Sequence, residues 1–238
     1  MTKVRDILVT GSSSGIGRAM TTHLLAQGHR VIGVARRDQS AAFKTQRFVP
    51  FELDLSKPDL CTEGFKRIFK VYPEIDAVVS NAGSGVFKSI ENISAKETES
   101  FFRLNLLSHV LLARVAVPKL KARGGGNLIF LGSESALTGA KLGSLYCTAK
   151  FGLRGLAQSL RAECANKNVR VSIVNPGLVR TPFFEKQSFG PGPDDAHAIE
   201  AGDVAEAVAM ILNMRDGTVI DEINLSPRQH VLDFDSAH

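Results

Sequence analysis

The chain has 238 residues, of which 44% are hydrophobic and 22% charged, an ordinary composition for a globular protein. Its 29 Lys and Arg residues exceed its 24 Asp and Glu residues by five, but they form no long basic run, so nucleic acid is not expected to be the main partner. The three cysteines form no C-x-x-C pair, and no uninterrupted apolar run reaches the roughly 18 residues of a membrane span. We therefore expect a cytoplasmic protein without a disulfide framework, a metal site or a membrane partner.

Short β-branched runs alternate with longer segments of helical periodicity along the chain. The predicted strands are Asp6–Thr10, His29–Ala35, Phe48–Leu53, Ala77–Ser80, Gly126–Leu131, Val169–Val174 and Thr218–Ile223. The predicted helices are Gly15–Gln27, Pro58–Tyr72, Ser94–Arg123, Leu145–Asn166 and Gly202–Asn213. Ser94 with Glu97 has the spacing of a capping box, and Asp203 is a candidate cap of the last helix. The alternation predicts an α/β fold with a parallel sheet of about seven strands and helices on both faces.

No internal repeat or linker divides the sequence, so we predict a single domain over residues 1–238. The irregular stretch is Arg180–Gly202, which contains Phe183, Phe184 and Phe189. A loop of this length within a compact domain is more often functional than idle. We therefore predict that residues 180–202 form a lid or substrate-binding segment.

A glycine-rich turn, Thr10–Gly17, follows the first predicted strand and leads into a helix. Glycines at this place permit a tight bend and a close approach of the backbone to a pyrophosphate, and the positive end of the helix holds the anion. The spacing is G-x-x-x-G-x-G, and its position in a strand–turn–helix unit predicts dinucleotide binding. The residues predicted to contact the cofactor here are Gly11, Ser12, Ser14, Gly15, Ile16 and Gly17.

The end of the second strand indicates which dinucleotide is bound. An NAD site has an acidic residue about 20 residues after the turn, where it binds the ribose hydroxyl. Here that place holds Ala35, followed by Arg36 and Arg37. A guanidinium can pair with a 2′-phosphate, whereas a carboxylate would repel it. The sequence therefore favours NADP(H), and Asp38 remains the residue that could serve NAD if the turn were shifted.

A tyrosine and a lysine four residues apart, Tyr146 and Lys150, lie near the start of a predicted helix, where this spacing places them on one face. A nearby ammonium favours the phenolate, so we expect a lowered pKa for Tyr146 and an acid/base role. Ser133 follows the fifth predicted strand, at the sheet edge where ligands of such folds bind. Its hydroxyl could hold a substrate carbonyl oxygen while Tyr146 protonates it.

These motifs, in this order and spacing, resemble the short-chain dehydrogenase/reductase family over about residues 5 to 224. The residues that carry the resemblance are Thr10–Gly17, Asn81-Ala82-Gly83, Ser133, Tyr146 with Lys150, and Asn175-Pro176-Gly177. The resemblance implies a doubly wound Rossmann fold and hydride transfer between a nicotinamide and a carbonyl or alcohol substrate.

The resemblance also implies a role for each matching position. Tyr146 would be the acid/base, Lys150 would hold the nicotinamide ribose, Ser133 would orient the substrate oxygen, and Asn105 would support a water-linked proton relay. Further cofactor contacts would come from Asp54, Leu55, Asn81, Ala82, Gly83, Pro176, Gly177, Val179 and Thr181.

The substrate and the assembly stay open at this point. The resemblance implies a homodimer or homotetramer, and a small hydroxy acid or a ketone is the first expectation for the substrate. A small acid could be held by Arg180 or Lys186. One alternative is a 3-ketoacyl reductase that acts on acyl-carrier thioesters. Another, of a different class, is a dinucleotide-binding sensor or scaffold without turnover.

Overall fold

The computed structural model describes residues 3–234, so the ends of the predicted domain, residues 1–2 and 235–238, lie outside the described residues. The strands are β1 (Asp6–Thr10), β2 (Arg30–Ala35), β3 (Phe48–Glu52), β4 (Ile75–Ser80), β5 (Gly126–Leu131), β6 (Val169–Pro176), β7 (Val179–Arg180), β8 (Gly190–Pro191), β9 (Ile199–Glu200), β10 (Glu222–Leu225) and β11 (Leu232–Asp233). The helices are α1 (Gly15–Ala26), α2 (Pro58–Val71), α3 (Ala95–Phe102), α4 (Ser108–Ala122), α5 (Ser144–Cys164) and α6 (Ala201–Asn213).

Seven strands form one parallel sheet in the order β10-β6-β5-β4-β1-β2-β3. Every residue of β4 and β6 is buried, because helices cover both faces of the sheet. Apolar residues of α2, α4 and α5 pack on one face, and those of α1 and α6 pack on the other. The predicted doubly wound α/β fold with about seven parallel strands is confirmed.

The last strand of the sheet differs from the prediction. We expected Thr218–Ile223, but β10 is Glu222–Leu225 and pairs with the end of β6. Thr218 closes a turn, in which its amide donates to the carbonyl of Arg215 at 3.0 Å, and the next β-branched residues, Val219 and Ile220, have no regular structure. Ile220 packs against the apolar core without joining the sheet. Pairing with β6 therefore sets the strand, and local β-propensity does not.

The predicted helix Ser94–Arg123 is three pieces, α3, a π-helical turn at Arg103–Leu107, and α4. By length and composition alone, the continuous helical segment Ala95–Ala122 could cross a membrane. Half of its most apolar window is buried inside the fold, and a buried core helix passes the same test.

The two capping predictions had different outcomes. Ser94 and Glu97 form the expected capping box, with the Glu97 amide donating to Ser94 Oγ at 3.2 Å and the Ser94 amide donating to Glu97 Oε2 at 3.0 Å. Asp203 is not the cap of α6. The cap is Glu200, whose amide donates to Asp203 Oδ2 at 2.9 Å, so Asp203 lies in the first turn.

The segment 180–202 contains short regular pieces. β7 pairs with β9 inside the segment, and β8 pairs with β11 from the end of the described chain. The amide of Gly192 donates to the carbonyl of Val231 at 3.1 Å, next to the β8–β11 pair. The segment is therefore held in place by its own strands and by residues 230–233.

Candidate active site

The candidate site lies at the carboxyl edge of the sheet, around the switch point between β1 and β4. The turn after β1 takes its shape because its glycines have no side chains. Gly11 has a φ of +71°, and its amide donates to the carbonyl of Val34 at 2.8 Å. A Cβ at Gly17 would lie 2.6 Å from Asn81 Nδ2 and closer still to the carbonyl oxygen of Gly11. Glycine is therefore required at both positions for the turn to close.

The start of α1 is suited to an anion. Ser14 is the N-cap residue but makes no side-chain capping bond, and the first turn of the helix contains no acidic residue. The amides at this end and the helix dipole are thus not neutralised by the helix's own side chains. Ile16, in the same turn, packs against the apolar core with its side chain half-buried.

The residues after β4 are fastened to the glycine turn by side-chain hydrogen bonds. Thr10 Oγ1 accepts from the amides of Asn81 at 2.9 Å and Ala82 at 3.1 Å. Asn81 Nδ2 donates to the carbonyl of Thr10 at 2.8 Å. The structure thus brings the predicted Asn81–Gly83 segment against the Gly11 turn, and Thr10 is a positioning residue that the sequence analysis did not single out.

Arg36 and Arg37 are exposed after β2, next to the same turn. The Asp38 carboxylate is hydrogen-bonded by Ser40, with its Oδ1 accepting from the backbone amide at 2.8 Å and its Oδ2 from the hydroxyl at 2.7 Å. The side-chain and backbone hydrogen bonds from Ser40 lower the pKa of Asp38. The two guanidinium groups are therefore exposed, whereas the carboxylate is engaged locally.

A buried glutamine was also missed by the sequence analysis. Gln39 is 3% exposed, and its Oε1 accepts from the Ser12 hydroxyl at 2.8 Å while its Nε2 donates to the carbonyl of Gly33 at 3.3 Å. The Ser12 side chain is itself fully buried. The Ser12 hydroxyl thus faces Gln39, and Gln39 links the glycine turn to β2.

Tyr146, Lys150 and Ser133 lie together where β5 and α5 meet. The Lys150 Nζ lies 5.6 Å from the centroid of the Tyr146 ring and donates to the carbonyl of Leu131 at 2.9 Å. The Ser133 hydroxyl is hydrogen-bonded to Tyr146 and also accepts from the amide of Ser135 at 3.2 Å. All three predicted side chains are buried. The structure therefore brings the three predicted side chains together.

The pKa values of the pair are dominated by burial. Burial raises the pKa of Tyr146 to about 12, and the hydrogen bond from Ser133 opposes this to a smaller extent. Burial also lowers the pKa of Lys150 to about 8. The expectation of a lowered Tyr146 pKa is wrong for the chain by itself, because loss of hydration outweighs the hydrogen bond from Ser133 and the charge of Glu134 raises the pKa further. Tyr146 is thus protonated at neutral pH.

The Lys150 shift predicts a pH-dependent stability. Below pH 8 both folded and unfolded chains carry the charged lysine, so its burial costs free energy. Between pH 8 and 10.5 the folded protein releases the proton first, so the free energy of unfolding should rise with pH. Between pH 8 and 10.5 we expect the free energy of unfolding of the parent to rise by a few kcal/mol relative to that of a Lys150→Met variant, on the order of the cost of the lysine pKa shift. Urea unfolding of both proteins at pH 7 to 10.5 measures it, and parallel pH profiles would contradict it.

Asn105 lies in the π-helical turn and is 1% exposed. Its Oδ1 accepts from the amide of Ser84 at 2.8 Å, and its Nδ2 donates to the carbonyl of Phe101 at 3.0 Å. The Asn105 Oδ1 lies 3.0 Å from the place of a Cβ at Gly83. The side chain thus joins the helix to the loop after β4, and π-helical turns of this kind occur frequently at functional sites.

The loop after β6 reaches the glycine turn. A Cβ at Gly15 would lie 3.5 Å from the Cβ of Thr181, so these two predicted residues face each other. The amide of Gly177 donates to the carbonyl of Leu225 at 2.8 Å. Pro176 pairs with the same leucine, and Val179 is buried in β7. This half of the predicted cofactor site is therefore held by the pairing of β6 with β10.

Asp54 and Leu55 follow β3 at the same edge of the sheet. Although partial burial opposes the shift, hydrogen bonds from Ser56 lower the pKa of Asp54, and Arg36 adds a favourable charge interaction. The Leu55 side chain is buried in the apolar core. Any contact of Leu55 with a ligand would therefore involve its backbone.

Comparison with known proteins agrees with this geometry. The sequence profile of the short chain dehydrogenase family matches residues 5–190. An uncharacterized oxidoreductase of Staphylococcus epidermidis is 27% identical over 233 residues, which cover 95% of this chain and all of that protein. The 3-oxoacyl-[acyl-carrier-protein] reductase of Buchnera aphidicola is 32% identical over 182 residues, 75% of each chain.

Solved structures show the same fold. The alcohol dehydrogenase of the archaeon Thermococcus sibiricus, complexed with 5-hydroxy-NADP, superposes with a TM-score of 0.85 at 25% identity. The superposition covers 96% of this chain and 99% of that enzyme.

Proposed function

The chain belongs to the short-chain dehydrogenase family and is an oxidoreductase of that family; from this premise we propose that it depends on NADP(H) and interconverts a carbonyl compound and a secondary alcohol. The observation that carries the proposal is the placement of Tyr146, with Ser133 hydrogen-bonded to it and Lys150 beside its ring, at the same sheet edge as the glycine turn. Such a set of groups suits proton transfer to or from a substrate oxygen.

The residues present fit a dinucleotide. The glycine turn offers close backbone approach, the start of α1 lacks an acidic residue, and Thr181 lies opposite Gly15 to close the far side. The pyrophosphate would lie on the Gly11–Gly17 turn. Asn81–Gly83 and Thr181 would face the nicotinamide end, and Asp54 with Leu55 would face the adenine.

In the direction of reduction, a nicotinamide held by the Gly11–Gly17 turn, Asn81–Gly83 and Thr181 would supply the hydride that the carbonyl carbon accepts, and would be oxidised in return. The electron pair of the carbonyl π bond takes the proton of the Tyr146 hydroxyl. Ser133 donates a hydrogen bond to the same oxygen, and the Lys150 ammonium stabilises the phenolate that remains. The raised pKa of Tyr146 keeps it in the protonated form that donates in this direction.

The pair of exposed arginines supports NADP(H) over NAD(H). Arg36 and Arg37 follow β2, where the adenosine ribose of a dinucleotide would lie, and Asp38 is engaged by Ser40. A 2′-phosphate there would gain charge-assisted hydrogen bonds from the guanidinium groups.

The test is cofactor binding by the parent protein and by an Arg36→Ala/Arg37→Ala variant. We expect NADP⁺ to raise the melting temperature of the parent more than NAD⁺ does at equal concentration. In the variant, NADP⁺ affinity should fall on the order of 10- to 100-fold while NAD⁺ affinity changes little. A matched control is Lys119→Ala/Lys121→Ala, which removes two charges from the last turn of α4, at the opposite edge of the sheet. Equal loss of both cofactors, or the same loss in the control, would contradict the assignment.

Self-association is part of the proposal. Leu107, Val110 and Phe151 are exposed large apolar side chains on the π turn, α4 and α5. The family resemblance implies a homodimer or homotetramer built through these same helices. Contact between copies of the chain would bury this apolar surface.

A further inference from the structure

Aromatic side chains surround the proposed acid/base. The Phe87 ring centroid lies 5.1 Å and that of Phe183 lies 5.9 Å from the centroid of Tyr146. Phe189 meets Phe87 edge-on at 4.9 Å. We name the set of Phe87, Phe183, Phe184 and Phe189 the aromatic wall. It combines a residue from the loop after β4 with three from segment 180–202, so only the folded chain assembles it.

The rings of the aromatic wall pack closely against Gly85. A Cβ there would lie 2.5 Å from the Phe183 ring and 2.9 Å from the Phe87 ring. Gln187 Nε2 donates to the carbonyl of Gly85 at 3.4 Å, which ties segment 180–202 to the loop after β4. The aromatic wall is thus held against Tyr146 by backbone contacts as well as by its own rings.

One of the two cations predicted to hold a small acid is engaged within its own segment. The Arg180 guanidinium pairs with Glu200, with Nε 3.3 Å from Oε1, and donates to the carbonyls of Gly192 and Asp194. Lys186 is exposed in the same segment. The Lys150 Nζ donates a hydrogen bond to the carbonyl of Leu131. Arg180 is therefore occupied by segment 180–202 itself, and neither it nor Lys186 forms part of the aromatic wall.

An acidic residue lies close to the reacting groups. Glu134 directly follows Ser133, and its charge acts to raise the pKa of Tyr146. Glu134 Oε1 lies 3.0 Å from His230 Nε2, and the carboxylate also approaches Gly177. A substrate carboxylate at this place would meet a like charge and lose hydration.

We propose that the substrate is an uncharged carbonyl compound that bears an aromatic or similarly bulky apolar group beside the carbonyl. This inference rests on the proposed function. A phenyl group against the aromatic wall removes apolar area from water and can adopt the edge-to-face geometry that the rings already show. Of the two substrate classes expected from the sequence, a small hydroxy acid and a ketone, this inference favours the ketone.

Four matched ketones test the two parts of the inference separately. They are ethyl benzoylformate, benzoylformate, ethyl pyruvate and pyruvate, which combine a phenyl or a methyl group with an ester or a free carboxylate. Oxidation of NADPH gives kcat/KM for each. We expect ethyl benzoylformate to exceed benzoylformate by at least about 100-fold, since an unpaired buried charge costs several kcal/mol. It should exceed ethyl pyruvate by about 10-fold or more.

A variant locates the preference in the aromatic wall. Phe87→Ala should lower kcat/KM for ethyl benzoylformate about 10-fold and leave ethyl pyruvate within about 3-fold. The control Phe51→Ala alters β3, the outermost strand of the sheet, and should not change the ratio of kcat/KM between the two esters. A higher kcat/KM for either acid than for its ester, equal loss of both esters in Phe87→Ala, or no turnover of any of the four would overturn the inference. The cofactor part of the proposed function is tested independently by NADP⁺ binding, and its catalytic part by the Tyr146→Phe variant.

Discussion

A Tyr146→Phe variant is expected to lose turnover by about 10²- to 10⁴-fold while its affinity for NADP⁺ stays within a few-fold of the parent value. The substitution removes the proton donor and leaves the ring, which packs between Phe87 and Phe183. The hydroxyl is buried and its loss removes a hydrogen bond with Ser133, so the free energy of unfolding should fall by about 1 kcal/mol. Steady-state oxidation of NADPH and a separate NADP⁺ titration measure the two quantities.

The chain contains one other tyrosine, which provides the matched control. Tyr72 lies at the end of α2, where its ring faces the Arg30 guanidinium at 5.8 Å. Tyr72→Phe should retain full activity and full cofactor binding. Normal turnover in Tyr146→Phe would contradict the proposed acid/base role. A parent protein that binds NADP⁺ but turns over no carbonyl substrate would instead favour a dinucleotide-binding sensor.

A Gly17→Ala variant is expected to be destabilised by about 3 kcal/mol or more and to lose its melting-temperature shift with NADP⁺. The new Cβ would overlap the carbonyl oxygen of Gly11 and lie 2.6 Å from Asn81 Nδ2. The Gly11 carbonyl belongs to the backbone of a turn in which Gly11 has a φ of +71°. The Asn81 side chain fastens this turn to the loop after β4. Relief of the clash therefore requires movement of the cofactor-binding turn itself.

Gly155→Ala is the control, because it makes the same change inside a helix at a place with no neighbouring atom within 4 Å of the new Cβ. That variant should be more stable than the parent by about 0.5 to 1 kcal/mol, owing to the higher helix propensity of alanine. Urea unfolding of both variants measures the contrast. Equal midpoints for Gly17→Ala and the parent, with a normal NADP⁺ shift, would show that the turn tolerates a side chain.

The parts of the fold that were predictable follow from local rules. The predicted limits of β1 and β5 agree with the structure, because in both strands a continuous apolar run is followed directly by a glycine. The Gly11–Gly17 turn and the pairing of Tyr146 with Lys150 were likewise predictable, since both depend on short spacing in sequence.

The parts that were missed depend on tertiary surroundings. Thr218 and Ile220 have strand propensity, but pairing with β6 begins only at Glu222. The π turn around Asn105 leaves the apolar pattern of the helix intact, so its sequence period gives no sign of it. The direction of the Tyr146 pKa shift was wrong because spacing reveals the neighbouring lysine and not the extent of burial. Gln39 was missed because its hydrogen bond with Ser12 joins distant segments.

The strand order of the sheet has a consequence for biosynthesis. β1 pairs with β2 a short distance along the chain, but its other edge pairs with β4, about 70 residues away. Closing so long a loop costs more entropy than closing a short one and slows folding. Until Ile75–Ser80 has been synthesised, one edge of β1 exposes unpaired backbone groups on an apolar strand, to which a second chain can add. The half-made sheet is therefore the stage at which the nascent protein most needs protection from aggregation.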